Sequence, residues 1–347
     1  MDHRTPNPNL YNVPFLADEF QGMPYRRMGR SGLRTSGIGL GTWKVGYPET
    51  GDGARVGEKE ALALFDRAHD LGVTFWDTAN RYNAASGNSE RVIGTWMKAH
   101  PNARRDIVLA TKLFGGMDGF TPNHSRLSRG NICDSVYASL ERLCVPRIDL
   151  LWFHRFDAET PIEESLCAVE DLMRQDLVRY LGVSNFTPTE LRLYAAAERS
   201  LTPRVRVVAV QNQYDILHGE DRIDGTLAYC ARENLGFVPY SPLARGLLSN
   251  RYLTPEKLGK GDRLVDEGTL KHDLTPEIAG KLQKLGALSQ AWDLDLNQLA
   301  LAYMLTLPGM STLIPSCSNV QQLESNAKAG KVALSLEQQG QVKAALA

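Results

Sequence analysis

Four side chains able to hold or pass a proton stand in the first half of the chain: Asp77, Tyr82, Lys112 and His154. Each ends or follows a short apolar run. Thr74 to Trp76 leads into Asp77-Thr-Ala-Asn-Arg-Tyr82, Ile107 to Thr111 into Lys112, and Leu151-Trp-Phe153 into His154. A phenol is a poor donor near neutral pH because its ordinary pKa is about 10, but a neighbouring ammonium stabilises the phenolate and lowers that value. Lys112 is the candidate for that charge, Asp77 for keeping the lysine charged and oriented, and His154 for a second hydrogen bond to a substrate oxygen. The set suits protonation of a carbonyl oxygen as hydride reaches its carbon, or the reverse. Singly, each has a plainer reading: Asp as a helix cap, Lys or Tyr as solvated surface, His as a core residue. Their coincidence at three consecutive strand ends favours the chemical one.

For these residues to meet, the chain must gather strand ends on one face. From Tyr25 onward, short runs rich in Val, Ile, Leu and aromatics alternate with amphipathic stretches of helical length, the mark of βαβ units. Strands are expected at 38–40, 74–76, 107–111, 149–153, 178–182, 207–211, 236–239 and 312–314, with helices at 58–71, 89–99, 130–143, 161–174, 188–197 and 223–234. Within 130–143, Ile132, Val136, Leu140 and Leu143 form a stripe of helical period that would cover a sheet. Eight such repeats predict an α/β fold, a (β/α)8 TIM barrel, whose active site lies at the C-terminal strand ends. Between the seventh and eighth strands a segment of more than 70 residues, 240–311, carries Leu258-Gly-Lys-Gly-Asp-Arg263 and two further helical patterns. An insertion that long above a barrel strand is usually functional. Residues 1–22, rich in Pro, Asn and Asp and without periodicity, read as an extended arm. The expected division is a 1–24 extension and a 25–347 barrel.

Composition narrows the partners. The 347 residues are 43% hydrophobic and 23% charged, and 39 Lys plus Arg against 40 Asp plus Glu leave a net charge of −1. No block of like charge offers an electrostatic footprint for nucleic acid or an anionic membrane. No apolar stretch is long enough to span a bilayer, and the first residues hold no apolar signal-peptide region, so the cytoplasm is the expected compartment. The five cysteines are scattered without a C-x-x-C pair and read as reduced packing residues. No two histidines share a helix face, so no metal is expected. The triplets at Asn123 and Asn185 match the glycosylation pattern by chance. Gly37-Ile-Gly-Leu-Gly41 lacks the third glycine of a dinucleotide fingerprint and precedes a loop. Gly182-Val-Ser-Asn-Phe186 ends in Phe where a nucleophile elbow needs Gly.

The ordered motifs Gly39-Leu-Gly-Thr-Trp43, Phe75-Trp-Asp-Thr-Ala79 with Tyr82, Gly87-Asn-Ser-Glu90, Thr111-Lys112, His154, Leu181-Gly-Val-Ser-Asn-Phe186, Gln211 with Tyr214, Pro239-Tyr-Ser-Pro-Leu-Ala-Arg-Gly246, and Ile314-Pro315 with Asn326 run through most of the chain. On them the sequence resembles the aldo-keto reductase family from about Tyr25 to Lys328. The resemblance implies a (β/α)8 barrel with an N-terminal hairpin over 25–37 closing its bottom, a nicotinamide cofactor lying extended across the C-terminal face, and the tetrad Asp77, Tyr82, Lys112 and His154. It further implies that Trp43 faces cofactor and substrate, that Ser184, Asn185 and Gln211 hold the nicotinamide carboxamide, and that Tyr240 stacks on the ring. Ser241, Leu243 and Arg245 would follow the pyrophosphate, and Ser318, Gln322 and Asn326 the adenosine end, where a helix N-terminus favours phosphate.

Within the family, Ser318-Asn-Val-Gln-Gln322-Leu and Leu127-Ser-Arg129 look most like the branch with the potassium-channel β subunits and related bacterial reductases. Arg251 and Arg263 match phosphate-contacting basic positions of that branch and favour NADP(H), with NAD(H) as the alternative. The chain departs from the pattern at Ser316, Ser325 and Asn319, where many relatives carry Gly, Glu and, in bacteria, Arg. Trp43, Trp76, Phe114, loop 115–126 and Phe156, beside Tyr82 and His154, suggest an aromatic pocket for an aldehyde, ketone or sugar. The expected function is NAD(P)(H)-dependent hydride transfer between nicotinamide and a carbonyl or alcohol, with Tyr82 as general acid/base. The alternative is a slow or non-catalytic, redox-sensing NADPH-binding regulatory subunit.

Overall fold

The computed structural model describes residues 17–201, 205–260 and 262–347. Residues 1–16, most of the expected arm, lie outside the described residues. A small antiparallel sheet comes first, with β1 (Glu19–Phe20), β2 (Met23–Arg27) and β3 (Arg34–Ser36) in that order. Seven parallel strands follow in sequential order: β4 (Leu40–Gly41), β5 (Phe75–Asp77), β6 (Val108–Leu113), β7 (Ile148–Phe153), β8 (Val178–Ser184), β9 (Val207–Gln213) and β10 (Gly236–Tyr240).

The expected eighth strand closes the barrel without forming a regular ladder. Ile38 bridges Leu313, Gly41 bridges Ser316 and Phe237 bridges Met310, all parallel, so residues 310–316 join β4 to β10. Around this sheet run α1 (Glu58–Asp70), α2 (Asn88–Ala99), α3 (Arg129–Leu143), α4 (Ile162–Arg174), α5 (Pro188–Ser200) and α6 (Thr226–Glu233). The long segment after β10 contributes short helical turns at 244–273, then α7 (Pro276–Ala291) and α8 (Leu296–Thr306); α9 (Val320–Ala329) and α10 (Leu336–Leu346) complete the chain. No described helix is long and apolar enough to cross a membrane.

Parity along each strand sorts the residues. Those of one parity (Trp76, Leu109, Leu151, Phe153, Leu181, Val210, Phe237) enter the large outer core under the helices. Those of the other (Phe75, Ala110, Leu150, Trp152, Ala209, Val238) fill the barrel with Ile314, and Met28 and Leu33 of the hairpin join them from below. A strand buried on both faces reads as an almost continuous apolar run, as Ile148–Phe153 does. Gly182 lies beside Trp152 in the β7–β8 ladder, and a Cβ there would meet the indole at 2.3 Å, so the glycine makes room for the largest interior ring. The interior is thus a filled floor, and the next inward positions above it carry polar groups.

Candidate active site

Those next positions are Asp77 on β5, Lys112 on β6, Ser184 on β8, Gln211 on β9 and Tyr240 on β10, each two residues beyond a floor residue. Tyr82 opens the helical turn that follows β5, and His154 is the first residue past β7. Lys112 Nζ donates to Asp77 Oδ2 at 2.5 Å, to the Thr78 carbonyl at 2.8 Å and to Tyr82 Oη at 2.7 Å. Three acceptors match the three protons of an ammonium. Asp77 Oδ1 accepts from Gln211 Nε2 at 2.8 Å, so both carboxylate oxygens are engaged. Asp77 and Lys112 are each 1% exposed, a buried pair directly above the floor.

The electrostatics differ from the expectation that Lys112 lowers the phenol. Burial pushes Tyr82 well above its ordinary value, and the negative charge of Asp77 adds to it. Burial also lowers the Lys112 ammonium, opposed by Asp77 and then by Glu90. Tyr82 is therefore protonated; its oxygen accepts from Lys112, and Asp77 also stands within hydrogen-bond reach of the phenol.

His154 lies edge-on to Tyr82, ring centroids 6.2 Å apart, and its carbonyl accepts from Asn185 Nδ2 at 3.0 Å. Burial, with Lys112 and Arg155 adding, pushes its imidazole from 6.5 down to about 3. The ring is neutral at working pH. An unfolded chain takes up a proton on this histidine below about 6.5 while the folded one does not, so stability is full above that pH and is lost as pH falls toward 3. The thermal midpoint of the wild type should therefore drop more steeply between pH 7 and 4 than that of His154→Gln. Parallel slopes would remove His154 from the acid response.

A cleft of about 1010 Å³ opens above this floor. Asp77, Tyr82 and His154 line it, as do Trp43, Ser184, Asn185, Gln211, Tyr240, Ser241, Leu243, Arg245, Arg251, Arg263, Ser318, Gln322 and Asn326. Lys112 lies beneath it. Asn185 (φ 61°) and Ser241 (φ 54°) adopt left-handed backbone just past β8 and β10, a strained choice for non-glycine residues that occurs often at functional sites. Tyr240 Oη donates to Asn185 Oδ1 at 2.8 Å. The aromatic substrate pocket is corrected in part. Trp76 points outward, fully buried between Phe65 and Trp96 at 4.8 and 4.7 Å. Phe114 packs on the outer core, Phe156 sits edge-on against Phe186 at 5.6 Å, and neither lines the cleft. Trp43 does line it, 43% exposed.

The expected phosphate-facing arginines are already paired. Arg251 grips Asp262 through two nitrogens, and Arg245 bonds Glu267 and Asp273. Arg263 reaches Glu267 at 2.9 Å and lies over the Trp43 ring at 5.1 Å. At the opening of α9, Asn319 caps the Gln322 N–H, and the Gln322 side chain accepts from the Ser318 N–H. Asn326 is held by Asn297 and Cys317.

Several lining residues were missed from sequence. Lys44 donates to Ser318 Oγ at 3.1 Å, and Arg55 crosses the cleft to Glu267 at 2.9 Å. Lys44 had a signal, since it directly follows the Trp43 motif; Arg55 and Glu267, 212 residues apart, had none. With Lys260, six cationic side chains line the cleft, beside amides and hydroxyls at the Tyr82 end. This donor set fits an extended dinucleotide diphosphate. The five cysteines are free thiols, and among the described residues no three His, Cys, Asp or Glu side chains are grouped to hold a metal.

The sequence profile of the aldo/keto reductase family matches residues 37–347. The chain belongs to that family. An aldo-keto reductase of Alternaria alternata, AMT2, is 32% identical over 81% of this chain and 80% of its own, and one of Strobilurus tenacellus, str7, 31% identical over 91% and 90%. A probable voltage-gated potassium channel subunit beta of rice, Oryza sativa subsp. japonica, is 30% identical over 88% and 91%. This aldo/keto reductase is accordingly an oxidoreductase of a family that uses nicotinamide cofactors and small carbonyl substrates.

Proposed function

We propose that this aldo/keto reductase moves hydride between NADP(H) and an aldehyde, ketone or sugar carbonyl, or the corresponding alcohol, with Tyr82 as general acid/base. The observation that carries the reading is the direction of the Lys112 to Tyr82 hydrogen bond. The phenol oxygen accepts at 2.7 Å, so its proton is available to a carbonyl oxygen in the cleft. When bound, the nicotinamide supplies the hydride or takes it back. As the phenol gives up its proton, the ammonium 2.7 Å away meets the developing phenolate, and Asp77 keeps that ammonium in place. Neutral His154 adds a second hydrogen bond to the same substrate oxygen without competing as an acid.

Ser184, Asn185 and Gln211 would hold the carboxamide and Tyr240 the ring. Ser241, Leu243, Arg245, Arg251 and Arg263 would hold the diphosphate, and Ser318, Gln322 and Asn326 the adenosine. NADP(H) is preferred to NAD(H) because Lys44 at Ser318 adds a cation to the cleft, beside arginines whose carboxylate partners an anionic ligand can replace. Purified protein mixed with excess NADPH and a panel of aldehydes and ketones should oxidise many equivalents of cofactor. A single equivalent oxidised, with cofactor retained, would replace this reading by a redox-sensing subunit, to which the rice relative lends some support.

A further inference from the structure

The first residues of α2 lie outside the cleft, yet each holds a different part of the catalytic face. Asn88 Nδ2 donates to Asp52 Oδ2 at 2.9 Å in the loop after β4. Ser89 Oγ lies 2.8 Å from Thr42 Oγ1 and 2.9 Å from Thr78 Oγ1, and the Thr78 carbonyl is an acceptor of Lys112. Glu90, with no exposed surface, accepts from Thr111 Oγ1 at 2.5 Å and from Arg142 Nε at 2.7 Å. Arg142 in turn donates to Asp118 Oδ1 at 2.6 Å, in the loop that leaves β6.

We propose that Glu90 is a positioning residue of the reaction: through Thr111 it fixes the end of β6 that carries Lys112, and through Arg142 and Asp118 it fixes the 114–126 loop beside Tyr82. The proposal rests on the reading of Tyr82 as proton donor and goes past the tetrad to which Tyr82 belongs.

Several features support a role beyond packing. A fully buried carboxylate is expensive, and an apolar side chain would fill the same space without that cost. The guanidinium of Arg142 is shared between Glu90, inside, and Asp118, on the loop, so it couples the two rather than merely neutralising one. Gly87 (φ 72°) leaves room for it, since a Cβ there would meet Arg142 Cδ at 2.7 Å. The loop has a second fastening, where Arg81, the residue before Tyr82, donates to the Gly116 carbonyl. A loop tied at Gly116 to Arg81, next to Tyr82, and at Asp118 to Arg142 holds the Tyr82 turn in one conformation. Glu90 also opposes the loss of charge that burial imposes on Lys112.

The test has an arm independent of turnover. Phe120, fully exposed in the same loop, is a chymotrypsin site. Asp118→Asn should speed cleavage after Phe120 several-fold and raise KM for 4-nitrobenzaldehyde with NADPH about tenfold, the weight of one charge-assisted hydrogen bond, while the pH profile of kcat stays in place. Glu90→Gln should speed cleavage as well and move the alkaline limb of kcat/KM to lower pH, because Lys112 then gives up its proton sooner. A folded Glu90→Gln protein with wild-type cleavage and an unmoved limb overturns the proposal. If that variant does not fold, Arg142→Lys and Asp118→Asn decide: wild-type cleavage and KM in both overturn it equally. Persistent turnover in Tyr82→Phe would instead sink the reading of Tyr82 and leave the cleavage result standing.

Discussion

Replacing Tyr82 by Phe should lower kcat about 10²- to 10⁴-fold, the usual contribution of a positioned general acid, while the affinity for NADPH stays at the wild-type value. The ring is kept, so its edge-on contact with His154 and the Lys112 ammonium 4.9 Å from its centroid are preserved. What is lost is the one group in the cleft that combines a proton at working pH with a cation waiting for the anion left behind. His154 cannot take over, because an imidazole pushed down to about 3 has no acidic proton to give near neutrality. Stopped-flow NADPH oxidation measures the rate, and quenching of protein fluorescence measures cofactor binding. Turnover within tenfold of the wild type would mean that another group or a water delivers the proton.

The same site shows what the sequence carried and what it could not. Asp77 and Lys112 were legible from their places at the ends of apolar runs, and Gln211 and Tyr240 from the family resemblance; strand parity then explains why all four face inward above the floor. The parity rule also explains why one expected pocket aromatic points away from the site. Trp76 precedes Asp77 by one residue and so must point the other way, into Phe65 and Trp96. The eighth strand was legible as the short run Thr312-Leu-Ile314, but not its weakness. The segment pairs through isolated bridges, with Gly39 N–H donating to Leu313 O and Ser311 N–H to Phe237 O.

Least legible were the partners of the arginines. Arg245, Arg251 and Arg263 were visible as cations, but their meaning depends on Asp262, Glu267 and Asp273; Arg263 and Glu267 stand at helical i, i+4 spacing, whereas no periodicity encodes the pairs of Arg245 and Arg251. Arg55 reaches Glu267 from the far side of the cleft, so the loop after β4 and the segment after β10 are tied together across it. An anionic ligand entering there exchanges carboxylates for phosphates rather than filling an empty cationic groove. Affinity should depend on how readily Glu267 and Asp262 yield, and on salt less steeply than six unpaired cations would imply.

The second large effect is expected at Lys112→Met, which keeps the length of the side chain and removes its charge. Turnover should fall about 10²- to 10⁴-fold, because the phenol loses the cation that stabilises its anion. Stability should fall too, by about 3–5 kcal/mol, since breaking a buried ion pair leaves one charge uncompensated. Asp77 is 1% exposed and would keep Gln211 Nε2 as a donor but lose its cation. The double variant Asp77→Asn, Lys112→Met separates the two roles. With neither charge present the desolvation penalty is gone, so the denaturation midpoint should recover most of the way, because neutral replacements of a buried pair are often tolerated. Turnover should not recover, since nothing then faces the phenolate. If activity returned together with stability, Lys112 would be a support of the floor and not part of the chemistry.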